Sequence, residues 1–125
     1  MYIDTHAHLY YDDLKNQLGD VVKRAEAAGV TQIICVGTDL PSSKTSISIA
    51  EKYNAVFATV GVHPHDAKDT PDDYLRQLRD MASHSKVVAM GEMGLDYLET
   101  FLPETFRKKF SYLNLRLRGN WICRR

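Results

Sequence analysis

The chain has 125 residues, enough for one small domain and too few for two ordinary ones. With 44% hydrophobic residues it can bury a core, yet no window approaches the roughly 18 apolar residues of a membrane span. Its 16 basic and 16 acidic side chains cancel, and the first residues lack the basic and apolar pattern of a secretory signal, so a cytoplasmic protein is expected.

In chain order, the first apolar run is "MYIDTH" at 1–6. A helix is expected over 12–28, where Leu14, Leu18, Val21, Val22 and Ala25 recur at three- and four-residue spacing before Gly29 ends the pattern. "TQIICVGT" (31–38) follows, then a helix over about 40–53 carrying Ile47, Ile49 and Ala50. Cys35 lies in that second run and reads as a small buried thiol rather than a disulfide partner for Cys123. The third run is "NAVFATVGV" (54–62). "TPDD" then predicts a helix start, with Thr70 as cap, Pro71 in the first helical position, and Asp72 and Asp73 at the positive end of the dipole. Tyr74, Leu75, Leu78 and Met81 mark its apolar face. "KVVAMGEMG" (86–94) is the fourth run, and a fourth helix is expected near Pro103–Glu104.

Several of the runs are nearly continuous in hydrophobicity, as in strands buried on both faces of a parallel sheet. Alternation with helices predicts an α/β fold of about four parallel (βα) units. In such folds the loops after each strand's C-terminal end share one rim, where sites are built.

Three clusters fall on that rim. His6 and His8, separated by one residue, point to the same face of a strand and can reach one ion, with Asp4 placed to orient them or hold nearby polar groups. The bland alternative is two unrelated surface histidines. "VGVHPHD" puts His63 and His65 just past the third strand, where they can bind phosphate or polarise a leaving group. "MGEMGLDYLE" puts Glu92 between Gly91 and Gly94, followed by Asp96 and Tyr97. A carboxylate at a strand end near histidines can bridge two cations and leave a coordination position open for water. Tyr10 and Tyr11 either cover the mouth of the site or pack in the core. His84 reads as a helix-terminal surface residue, and Asp66, Asp69, Asp72 and Asp73 as a solvated loop and first turn. Neither a phosphate-binding P-loop nor a dinucleotide-binding glycine motif is present.

"MYIDTHAHL", "VGVHPHD" and "GEMGLDYLE", in this order, resemble the start of the TatD family of metal-dependent deoxyribonucleases, a branch of the amidohydrolase-like hydrolases. The resemblance spans about residues 1–110. It implies a TIM-like barrel with divalent metal, Mg, Mn or Zn and up to two ions, at its C-terminal rim. It implies His6 and His8 as ligands of one metal and Glu92 as a shared ligand and catalytic residue. His63 and His65 would handle the substrate phosphate, with Asp4 and Asp96 in support. The implied reaction is cation-assisted hydrolysis of DNA phosphodiester bonds.

A complete (β/α)₈ barrel needs at least about 200 residues. Residues 1–104 are therefore expected to form an incomplete, N-terminal half-barrel, and 105–125 a fourth helix with a divergent basic tail. All 16 acids lie at or before Glu104, and seven Lys and Arg follow it. The acid-free end reads as a frame-shifted or truncated terminus, or as a nucleic-acid-binding arm. Open barrel edges predict self-association and marginal stability. Impaired nuclease activity is the first functional reading. An inactive fragment and an amidohydrolase acting on C–N bonds are the alternatives.

Overall fold

The computed structural model describes residues 1–94. Asp96, the helix expected near Pro103–Glu104 and the basic tail lie outside them. Strand β1 (Tyr2–Ala7) leads through α1 (Asp12–Lys15) and α2 (Leu18–Ala27) to β2 (Val30–Val36). Then come α3 (Leu40–Lys52), β3 (Val56–Val60), a 3₁₀ helix (Pro64–Asp69), α4 (Tyr74–Ala82) and β4 (Val87–Met90). The strands form one parallel sheet in the order β1-β2-β3-β4. The expected αβ alternation is therefore present, with every strand's C-terminal end on one rim.

The core lies between the sheet and its helices. Val56, Ala58 and Val60 of β3 are fully buried, as are Ala50 of α3 and Leu78 and Ala82 of α4. Complete burial of a side chain such as Leu78 contributes roughly 1.5–3 kcal/mol. Cys35 is buried and free of any disulfide, with its thiol 3.4 Å from Ser46 Oγ. Ser43 is also fully buried; its hydroxyl accepts from Gly61 N at 3.2 Å, tying α3 to the end of β3. Among the described residues no helix is long and apolar enough to cross a membrane.

Three local expectations are corrected. The helix expected over 12–28 is broken, because Gln17 takes φ −133°, ψ 26° between α1 and α2. Gly29, at φ +86°, ends α2 in the left-handed region that glycine adopts without Cβ strain. Thr70 does not cap α4. Its hydroxyl donates instead to Asp66 O at 3.0 Å, closing the 3₁₀ helix, and α4 starts only at Tyr74, after a turn in which Tyr74 N donates to Pro71 O. Finally, β1 is not buried on both faces: Tyr2 is 69% and Ile3 52% exposed, on the strand that pairs only with β2 among the described residues.

Candidate metal centre

Strand alternation and the rim bring two histidines and a carboxylate together. His6 Nε2 lies 3.3 Å from His8 Nε2. Glu92 Oε2 lies 3.5 Å from His6 Nε2 and 3.9 Å from His8 Nε2. Nitrogens held 2.0–2.1 Å from a tetrahedral ion are about 3.3 Å apart, so these groups could share a common ion. The His6 side chain is 54% exposed and that of His8 only 20%, so the cluster opens to solvent on the β1 side.

Hydrogen bonds fix the two kinds of imidazole differently. His8 Nδ1 lies 2.9 Å from the carbonyl oxygen of Val36. A carbonyl only accepts, so Nδ1 carries the proton and Nε2 of the neutral ring keeps its lone pair, as a metal ligand requires. The Tyr10 hydroxyl donates to the same carbonyl at 3.0 Å and sits 3.0 Å from Nδ1. His63 is the reverse. Its Nδ1 accepts from His65 N at 3.3 Å, so Nε2 of the neutral ring is a donor. That Nε2 lies 3.9 Å from Glu92 Oε1, the oxygen not turned toward His6 and His8.

Glycines seat Glu92. Gly91 N donates to Val60 O at 2.9 Å and Glu92 N to Gly37 O at 3.0 Å. A Cβ on Gly61 would stand 2.6 Å from Gly91 C and 2.9 Å from Glu92 N. The glycine after β3 therefore lets the end of β4 close onto it.

The other expected residues are placed as follows. Asp4 Oδ1 accepts from the backbone N–H of His6 at 3.1 Å, so it holds the strand end rather than an imidazole. The His65 ring stands edge-on to His63, with centroids 4.5 Å apart. Tyr10 packs against the core, whereas Tyr11 is exposed and stacks on His8. His84 is partly exposed, as expected, and pairs with Glu51 at 3.1 Å.

Sequence reasoning missed Thr38 and Asp66. Both line a cavity of about 320 Å³ with His8, His63 and Glu92. Thr38 O accepts from His63 N at 2.7 Å and so fixes the start of the histidine loop. Asp66 is not a solvated loop residue. Burial, reinforced by the negative charge of Asp39, raises its carboxyl pKa, while His63 and His65 pull it back. The only local signal was its place three residues after His63.

Residues 3–112 match the family described as TatD related DNase. The chain belongs to the TatD family. The uncharacterized metal-dependent hydrolase YabD of Bacillus subtilis is 38% identical over 87% of this chain and 43% of its own length. The 3'-5' ssDNA/RNA exonuclease TatD of Cronobacter sakazakii is 40% identical over 66% of this chain and 31% of its own length. Among solved structures, the TatD homologue YjjV of Escherichia coli superposes with a TM-score of 0.81 at 28% identity. That match covers 95% of this chain and 47% of the YjjV chain. The chain thus spans less than half the length of these relatives, and its four parallel strands alternating with helices resemble the TIM-barrel fold of TatD proteins.

Proposed function

We propose that the chain binds divalent metal through His6, His8 and Glu92 and hydrolyses phosphodiester bonds in nucleic acid, DNA first. The observation that carries this is the pair of opposed imidazoles on one carboxylate. His8 offers a lone pair beside Glu92 Oε2, and His63 offers an N–H beside Glu92 Oε1. A bound cation supplies Lewis acidity toward a phosphoryl oxygen and acidifies water. His6 and His8 would hold it as nitrogen ligands, and Glu92 would neutralise part of its charge through the oxygen that faces them. His63 Nε2–H, with His65 beside it, donates to a non-bridging phosphate oxygen and so stabilises the charge that builds up there. Asp4 holds the backbone of His6 in place; Asp96 lies outside the described residues. Imidazole ligands favour Zn over Mg or Mn, while the carboxylate suits all three. A cytoplasmic setting accords with the free, buried Cys35.

The supporting facts are the family, the exonuclease named among its members and the ligand spacing. A second reading is metal binding with little or no turnover. It draws on a cluster of three ligands among the described residues and on a β1 whose His6 stands open to solvent. One experiment separates the two: elemental metal content and Mn²⁺-dependent cleavage of single-stranded DNA, measured on one sample of the chain. His6→Ala and Glu92→Gln should lose bound metal and any cleavage together. Unchanged metal-dependent cleavage in both variants would sink the assignment. Retained metal without cleavage in the parent chain favours the second reading.

A further inference from the structure

We propose that Tyr11 is a stacking platform for a nucleobase next to the phosphate held at the metal centre; this rests on the nuclease reading above. Single exposed aromatics are common and by themselves mean nothing. Tyr11 differs in three respects. It is 53% exposed yet lines the same cavity as His63 and Glu92. Its ring is already oriented, stacked on His8 with centroids 4.9 Å apart at 21° and met edge-on by Tyr10 at 5.1 Å and 89°. Its backbone is pinned at both ends: Tyr11 N donates to His8 O at 3.1 Å, and Tyr11 O accepts from Leu14 N at 2.9 Å and Lys15 N at 2.8 Å. Little ordering is left to be lost when a flat ligand arrives.

Charge points the same way. Among the described residues lining this cavity there is no Lys or Arg, and Asp66 and Glu92 carry negative charge into it. Among these described residues, the usual cationic contacts to phosphate do not supply affinity for a polyanion. Bound cations, His63 and a face for stacking must supply it. Stacking is indifferent to base identity and requires an unpaired base, so a platform at this position selects single strands.

The test uses the full chain with Mn²⁺ and single-stranded oligonucleotides whose terminal linkages resist hydrolysis, either fully base-bearing or abasic at the terminal positions. Binding is read by fluorescence anisotropy. The parent should prefer the base-bearing strand by roughly five- to hundredfold. Tyr11→Ala should erase that preference, and Tyr11→Phe should keep it. Undiminished preference in Tyr11→Ala overturns the proposal. So does equal weakening for both strands, which would mean that Tyr11 acts only by propping His8. If the parent binds neither strand, the nuclease reading falls and the platform with it. If the parent binds both strands equally, the platform alone falls.

Discussion

The imidazole of His8 is held by the carbonyl oxygen of Val36, 28 residues along the chain and 2.9 Å from Nδ1. One backbone acceptor at the end of β2 thus decides which nitrogen at the end of β1 is free for metal. Tyr10 completes the arrangement through its own 3.0 Å bond to that carbonyl. Groups that orient a ligating histidine typically influence metal affinity by about 10–100-fold. Tyr10→Phe should sit at the low end, weakening Mn²⁺ or Zn²⁺ binding about tenfold by calorimetry, because Val36 remains in place. An unchanged affinity would assign the whole effect to Val36.

Two Gly→Ala substitutions should have opposite signs. Gly61→Ala puts a methyl 2.6–2.9 Å from the Gly91–Glu92 backbone, so β4 must shift. Overpacking of this kind costs about 1–3 kcal/mol, and metal affinity should fall with it because Glu92 moves. Gly19, inside α2, has its nearest outside atom at 3.8 Å, the Tyr53 hydroxyl. Gly19→Ala should stabilise by about 0.4–1 kcal/mol through a less flexible unfolded chain. Urea denaturation of both variants, with metal titration of Gly61→Ala, checks the pair.

Asp66 gives a pH dependence. Its carboxyl pKa is raised in the folded chain, by burial first and by Asp39 second. The folded state therefore keeps the Asp66 proton to higher pH than the unfolded chain does. The stability this contributes is fully present below an ordinary aspartate pKa of roughly 3.9 and is lost as pH rises through the folded value. Asp66→Asn should melt higher than the parent near neutral pH, and the gap should close in acid. Thermal melts of both proteins across that range test this; a constant gap would count against it.

The exposed β1 edge should promote association between copies. Tyr2 and Ile3 present apolar surface on β1, which pairs only with β2 among the described residues, the arrangement that recruits another strand. Ile3→Lys should lower the concentration dependence of the sedimentation coefficient. A parent chain that stays monomeric over the whole concentration range would remove the basis for this expectation.

The order of elements was legible because burial imposes its own period: apolar runs gave strands, and three- and four-residue spacing gave helices. His6, His8 and Glu92 were legible as a group because strand ends of a parallel sheet share a rim. What stayed hidden depends on contacts between distant segments. The Asn16–Gln17 break carries no proline or glycine to announce it. Thr70 has the sequence of a cap, but the preceding 3₁₀ helix takes its hydroxyl. The exposure of β1 depends on what lies beside it rather than on its own residues. Asp66 and Thr38 become part of the site only because the loops after β2 and β3 meet, which no local pattern encodes.

The bond from Glu92 N to Gly37 O reaches past β3, joining the ends of two strands that are not neighbours in the sheet. The rim is therefore a single cooperative unit: β4 cannot fray alone without withdrawing the carboxylate, and an ion bound by that carboxylate opposes the fraying. Amide hydrogen exchange at Glu92 and Gly91 should consequently slow in proportion to metal occupancy, while amides at the opposite end of the sheet are slowed less. With the proposed ion bound, the residue that holds it also holds the end of β4 to the end of β2.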